Sequence, residues 1–213
     1  MRRLLTKICG MTETNNILEL AQLSPDYLGF IFFERSPRVL KLTNLASDIV
    51  IPATVKKVGV FVNEALSVVI KQAQVHQLTA VQLHGDESEV YCKELQKAQP
   101  ELEIIKAFRI STDFDFSLLK TYQSIKFFLF DTYKAGQEGG TGQVFDWNLL
   151  QAYQENTPYF LSGGIGLDKI AAVKLLAEQD SRLSGIDLNS ALESSVGVKN
   201  ISLCREALGK INE

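Results

Sequence analysis

The chain is short of the features that mark disulfide scaffolds, membrane proteins and nucleic-acid binders. Its 213 residues hold only three cysteines, Cys9, Cys92 and Cys204. Their odd number argues against a disulfide framework, and their spacing is too wide for a zinc ribbon or a CxxC redox pair. Such sparse cysteine usage suits a reducing cytoplasm. The longest apolar runs, such as Tyr27 to Phe33 and Phe127 to Phe130, fall far short of the ~18 to 20 residues needed to span a bilayer. The opening Met1 to Lys7 has only two consecutive apolar residues before polarity returns, which is not a signal-peptide pattern. Lys plus Arg number 22 against 25 Asp plus Glu, a net charge of -3, and the basic residues form no block. That balance argues against neutralising a phosphate backbone, or docking on an anionic membrane, as the main task. No GxGxxG follows the first apolar run and no GxxxxGK[ST] occurs, which weakens the nucleotide-binding alternatives. No Pro/Gly/Ser-rich linker divides the chain.

What the sequence does contain is repetition. With 46% hydrophobic and 22% charged residues the composition is that of an ordinary globular protein. Eight short apolar runs end near Cys9, Phe33, Val62, Leu83, Phe108, Asp131, Ser162 and Leu188, at spacings of 21 to 31 residues. Each is followed by a polar or glycine-containing turn and a stretch of helical periodicity. Asn63 reads as the N-cap of a helix over 64–75. Ile170, Val173 and Leu176 form one helical stripe, and Ile201, Cys204, Leu208 and Ile211 another. Eight strand–helix units in one undivided chain favour an α/β fold, a (β/α)8 TIM barrel formed as a single catalytic domain over residues 1–213, over an open doubly wound sheet. Eight units of about 27 residues leave almost no room for insertions.

In such a barrel the chemistry lies at the C-terminal ends of the strands. Gly163 and Gly164 after the seventh run, with Asn189, Ser190 and Ala191 opening a short helix after the eighth, would present backbone N–H groups to a phosphate; a plain tight turn is the other reading. Cys9 at the first end and Asp131 at the sixth face each other across the mouth as a candidate proton-transfer pair, set against a buried structural cysteine and a helix-capping aspartate. Arg38 could hold a carboxylate in a bidentate pair, whereas Arg35 reads as solvated. Lys7 alternates with Cys9, one layer down, and an unpaired charge there would be costly, so it is expected to pair with Asp187 on the adjacent eighth strand. His84 is the one histidine at a strand end; His76 falls in a helix–loop region without chemical neighbours. The stretch from Thr132 to Phe145, with four glycines, reads either as a mobile lid or as a connector without function.

Taken in order, these segments resemble phosphoribosylanthranilate isomerase, the tryptophan-pathway barrel family. The resemblance is carried by Lys7-Ile8-Cys9-Gly10-Met11-Thr12, Ser36-Pro37-Arg38, Val58 to Asn63, Val81-Gln82-Leu83-His84-Gly85, Asp131-Thr132, Gly139-Gly140-Thr141-Gly142, Leu161-Ser162-Gly163-Gly164 and Gly185 to Ser190. It runs from residue 4 to about residue 200.

The resemblance implies an Amadori rearrangement of N-(5-phosphoribosyl)anthranilate to 1-(2-carboxyphenylamino)-1-deoxyribulose 5-phosphate, with Asp131 as general acid and Cys9 as general base. It further implies Arg38 on the anthranilate carboxylate, Gly163, Gly164, Asn189, Ser190 and Gly142 on the phosphate, Asp187 near the ribose or amine, and Gln82 and His84 lining the mouth. It implies neither metal nor organic cofactor, since the substrate's own nitrogen is the electron sink. The partner is then a small phosphosugar–anthranilate substrate, with no nucleic acid and no membrane, and a monomer is expected because no long apolar surface stripe is evident.

The sequence departs from the family pattern at Ala191, where glycine is usual, and at Asn200, where aspartate is usual. Other phosphosugar barrels are weighed against it. An indole-glycerol-phosphate synthase would rely on lysine and glutamate, and the histidine-pathway aminoaldose isomerase on an aspartate pair; Cys9 opposite Asp131 speaks against both. Retention of that pair also speaks against a non-catalytic phosphate-ligand binding protein.

Overall fold

The computed structural model describes residues 3–131 and 147–213, apart from the side chains of residues 46 and 48. The lid expected over 132–145, including Gly142, lies outside the described residues. In chain order the elements are β1 (Leu5–Cys9), α1 (Thr14–Gln22), β2 (Tyr27–Ile31), α2 (Leu45–Asp48), β3 (Lys56–Phe61), α3 (Leu66–Val75), β4 (Ala80–Leu83), α4 (Glu89–Ala98), β5 (Glu103–Arg109), β6 (Phe127–Asp131), β7 (Tyr159–Ser162), α5 (Ile170–Gln179) and β8 (Leu183–Leu188). A small hairpin, β9 (Glu193–Ser195) with β10 (Val198–Lys199), precedes α6 (Ile201–Asn212). Strands β1 to β8 pair in parallel, each with the next, and β1 closes on β8. The expected barrel is therefore the observed one, and its strand ends fall within two residues of the ends of the apolar runs.

Side chains alternate along each strand, so one set points into the barrel and the other outward under the helices. The inner core is Tyr27, Val58, Ala80, Ile105, Ala107, Phe127, Leu129 and Phe160. The outward set, among them Ile8, Leu28, Phe30, Leu83, Phe128, Phe130, Leu161 and Ile186, joins the helix faces in a second, larger core. Burial of both faces is why the strands read as nearly continuous apolar runs. The same parity carries Lys7 and Cys9 of β1, Gln82 of β4, Asp131 of β6 and Asp187 of β8 inward, above the inner core.

The helices follow the sequence stripes with three corrections. The spacing places an N-cap at Asn63, but α3 starts later, with Ala65 in the capping position and no side-chain cap bond. Asn63 instead adopts a left-handed φ of 51°, accepts from Asp86 N at 2.6 Å and donates to Asp86 Oδ2 at 3.1 Å, tying the β3 and β4 loops together. The second correction concerns units five and six, where 3₁₀ turns at Phe116–Thr121 and Trp147–Ala152 stand where α-helices would. There an aromatic cluster supplies the cover: Phe130 packs at 4.8 Å from Tyr159 and 5.1 Å from Tyr153, and Phe108 at 5.8 Å from both Phe114 and Phe128. Each buried ring contributes about 1.5–3 kcal/mol by burial, with edge-to-face contacts adding to that.

The third correction is His76, expected to lack neighbours. It is buried, accepts from Leu45 N through Nδ1 at 3.1 Å and packs edge-on against Phe32. Asn200 caps α6 by accepting from Leu203 N at 3.1 Å, so the departure from aspartate preserves a cap. Cys204 lies buried on α6, as its stripe required, and Cys92 lies buried on α4.

A buried ion pair invisible in the sequence pattern locks the β4 end. Lys106 Nζ donates to Gly85 O at 2.7 Å, to Leu83 O at 3.2 Å and to Glu87 Oε2 at 3.2 Å. Glu87 also accepts from Asn63 N at 2.8 Å and Gly85 N at 3.0 Å. The loop carrying His84 is thus held from β5 and from the end of β3.

The aromatic cover yields a stability prediction. Phe130 is fully buried, so Phe130→Ala should lower the free energy of unfolding by about 3–5 kcal/mol, read from urea melts. A loss under about 1 kcal/mol would mean that the cluster does not bear the packing of this quarter.

Candidate active site

The C-terminal rim of the barrel holds a cavity of about 310 Å³ lined by Arg38, Asp131, Asp187, the Ser162–Ile165 turn and the Asn189–Ala191 turn. A larger hollow of about 960 Å³ lies on the outer layer between the Trp147 turn and α5. Its charged residues, Asp180 and Arg182, bond to each other at 2.7 Å, and it lies away from the strand ends, whereas the rim cavity gathers Arg38, Asp131 and Asp187 at the C-terminal mouth of the barrel.

Behind Asp187, which lines the rim cavity, lies the inward end of β1. Lys7 Nζ bonds Asp187 Oδ1 at 2.9 Å, the pairing expected from the sequence, and the Lys7 side chain is fully buried. Burial alone would lower the Lys7 pKa, but Asp187 and Cys9 outweigh it and raise it, so the ammonium persists. Cys9 lies buried beside it. Burial pushes the Cys9 thiol up, while Lys7 pulls it down by charge and by hydrogen bonding. Gly29, the β2 partner of Cys9 in register, makes the space: a Cβ there would stand 2.6 Å from Cys9 Sγ and 3.2 Å from Lys7 Nζ.

A second wall comes from the turns after β7 and β8. Gly163 and Gly164 have φ of 106° and 60°, left-handed values that only glycine adopts without strain. Ser190 to Leu192 form a 3₁₀ turn. Ala191 sits inside that turn and is not among the residues with positive φ, so alanine there fits without strain.

Arg38 does hold a carboxylate side-on, but the carboxylate is the protein's own. Its Nε and Nη2 donate to Glu193 Oε1 and Oε2 at 2.8 and 2.6 Å. Lys199, buried on β10, donates to Glu193 Oε1 and to Asn189 Oδ1, both at 2.7 Å. Sequence reasoning passed over Glu193 and Lys199. The only local signal is a charged residue on each arm of a short hairpin turned by Gly197, with φ of 83°. Gly10 makes room for this network: a Cβ there would meet Arg38 Cδ at 2.8 Å and Asn189 Oδ1 at 3.0 Å.

On the far wall, His84 Nε2 stands 3.6 Å from Asp131 Oδ2. Gln82 is buried beneath His84, its amide 2.8 Å from His84 Nδ1. Seven of the expected residues, Arg38, Asp131, Gly163, Gly164, Asp187, Asn189 and Ser190, therefore share one cavity; Cys9 lies buried behind them beside Lys7, and His84 stands on the Asp131 side. Gln82 belongs to the layer below.

Glu193 gives this network a pH signature. Burial would raise its pKa, but hydrogen bonds from Arg38 and Lys199 hold it at about 2, against an ordinary 4.5. A carboxyl with a depressed folded-state pKa stabilises fully above its unfolded value and loses that contribution as pH falls through the folded one. Wild-type stability should therefore decline between about pH 4.5 and pH 2, and Glu193→Gln, weaker at neutral pH, should lack that part of the decline. Parallel stability–pH curves for the two proteins would refute the linkage.

Comparison with known proteins accords with this geometry. Residues 6–210 match the family model described as N-(5'phosphoribosyl)anthranilate (PRA) isomerase. An N-(5'-phosphoribosyl)anthranilate isomerase of Parabacteroides distasonis is 39% identical over 211 residues, covering 98% of this chain and 93% of that protein. A crystal structure of phosphoribosyl anthranilate isomerase in complex with reduced 1-(o-carboxyphenylamino)-1-deoxyribulose 5-phosphate superposes with a TM-score of 0.79 at 27% identity, covering 99% and 98% of the two chains. Monomers generated from the dimeric enzyme of Thermotoga maritima superpose at 0.78, again at 27% identity and with the same coverage. By sequence and fold together, the chain belongs to the N-(5'-phosphoribosyl)anthranilate isomerase family and is an isomerase of tryptophan biosynthesis.

Proposed function

We propose that the rim cavity carries out the Amadori rearrangement with Asp131 as general acid and Cys9 as general base. The observation that carries this reading is the meeting, in one cavity, of Asp131 with the glycine turn at 163–164, the Asn189–Ser190 turn and Arg38. The ligand bound by the relative described above has a phosphate at one end and an aromatic carboxylate at the other. The two turns suit the phosphate, with Gly142 added from the segment outside the described residues, and Arg38 suits the carboxylate.

Between the two anchors the sugar spans Asp131 and Cys9. Asp131 delivers its proton to the ribose ring oxygen as the C1–O bond breaks, and the amine lone pair forms the C=N bond of the open Schiff base. The Cys9 thiolate then takes the C2 proton, and the C2–H electron pair moves into a C1=C2 bond while the iminium nitrogen receives its pair back. The enolamine tautomerises to the aminoketone. Burial leaves the Cys9 pKa raised overall, and Lys7 offsets part of the cost of the thiolate that this step requires; Asp187 both anchors Lys7 and reaches the cavity beside the ribose. His84 lines the Asp131 wall, and Gln82 meets the ligand only through His84.

Each acid–base group of this kind contributes about 10²–10⁴-fold. Turnover of phosphoribosylanthranilate, followed by loss of its fluorescence, should proceed in the presence of a chelator. Cys9→Ser and Asp131→Asn should each lower kcat by at least about 100-fold, whereas Arg38→Ala should act mainly on KM. Near-normal turnover by Cys9→Ser would remove it as the base, and absence of wild-type turnover would remove the reading altogether.

We further propose that the chain works as one catalytic domain, as a monomer and in the cytoplasm. Its exposed apolar side chains, among them Val50, Val90 and Leu175, are scattered over separate elements, and among the described residues no helix is long and apolar enough to cross a membrane.

A further inference from the structure

Arg38 lines the rim cavity, yet the edge of its guanidinium formed by Nε and Nη2 is spent on Glu193, at 2.8 and 2.6 Å. A guanidinium carries five N–H donors in one rigid plane. The side-on pair with Glu193 uses two of them, which leaves both donors of Nη1 and one of Nη2, and no described residue accepts from Nη1. These remaining donors make up the end-on edge, itself a fork that fits a second carboxylate.

Glu193 is the better fixed member of the pair. Its side chain is 7% exposed, against 21% for Arg38, and its Oε1 also accepts from Lys199 Nζ at 2.7 Å and from Gly197 N at 3.1 Å. Lys199 is in turn wholly buried and bonded to Asn189 Oδ1 at 2.7 Å. Arg38 comes from the loop after β2, with Gly10 leaving room for its Cδ. The β9–β10 hairpin thus carries a carboxylate held by the fold itself, and Arg38 is set against it.

We propose that Glu193 is a positioning residue: by bonding Arg38 side-on it holds the end-on edge open for the carboxylate of the ligand. The role rests on the reading of Arg38 as the anchor of that carboxylate. An arginine without such a brace samples many rotamers, and ordering one on binding costs about two- to tenfold in affinity; here the fold has ordered it already. The opposite reading of the same contacts is that Glu193 competes for Arg38 and the ligand must evict it. Two features favour the brace. The bonds occupy the edge that an end-on carboxylate does not need, and eviction would strand Lys199 as a buried cation without its counter-ion.

A substitution that keeps the charge but shortens the reach separates the two readings. Glu193→Asp in the full chain should raise KM for phosphoribosylanthranilate about two- to tenfold with kcat little changed. A KM unchanged, or lowered as easier eviction requires, overturns the proposal. Arg38→Ala should raise KM about ten- to a hundredfold, the range for hydrogen bonds to a charged group, and in that background Glu193→Asp should add nothing. Additive losses would mean that Glu193 acts on the rim at large, and would overturn the positioning role. Urea melts establish that each variant is folded. If Glu193→Asp folds poorly, Arg38→Lys carries the test: an ammonium keeps the charge but cannot offer a fork to each of two carboxylates. Its KM should rise about tenfold, the loss of one charge-assisted hydrogen bond, and a near-normal KM overturns the proposal. An unchanged KM in Arg38→Ala would fault the reading of Arg38 itself and take the proposal with it, a result distinct from a silent Glu193→Asp beside an impaired Arg38→Ala.

Discussion

The ion pair between Lys7 and Asp187 is the constraint on which the site depends. It lies inside a closed sheet, joins the first strand to the last, and is excluded from water on the lysine side. A buried pair of this kind adds little net stability, because desolvation offsets the attraction, but removing one partner leaves a stranded charge. What it provides is placement. The Lys7 ammonium is held against Cys9, and Gly29 on the next strand leaves the space that both groups occupy.

A second charged network repeats this arrangement on the wall. Arg38 and Lys199 share Glu193, and Lys199 extends to Asn189 in the β8 turn. Around Cys9 the cations Lys7, Arg38 and Lys199 thus face the carboxylates Asp187 and Glu193. The cationic groups outnumber the anionic ones around Cys9 by one.

The barrel was legible because its strands are buried on both faces, which leaves uninterrupted apolar runs, and because a period of about 27 residues survives in the spacing of their ends. Cys9, Asp131, Asp187 and the Gly163–Gly164 turn were legible because strand-end position fixes their place once the barrel is assumed. The Lys7–Asp187 pair followed from strand parity and adjacency. Glu193, Lys199 and the Lys106–Glu87 pair were not legible, since each depends on partners brought together only by the tertiary fold. Asn63 misled for a local reason. A residue before a helical stripe is as apt to turn the chain through a left-handed conformation as to cap the helix. His76 was misread because burial of a polar ring beneath a loop leaves no periodic mark.

The aromatic cover over β5 to β7 has a consequence for how the chain acquires its structure. Helices such as α4 and α6 carry their own caps and can form by local contacts, whereas 3₁₀ turns have little stability outside a packed setting. The quarter of the barrel holding Asp131 must therefore gain order through collapse of rings from β5, β6, β7 and the Tyr153 turn upon one another, contacts of long sequence separation that carry the cost of loop closure. Asp131 sits on the part of the sheet with the least locally encoded structure, whereas the strand of Cys9 lies between the α-helices α1 and α6, of which α6 carries its own side-chain cap. Bringing Asp131 and Cys9 to one mouth is thereby tied to closure of the whole barrel.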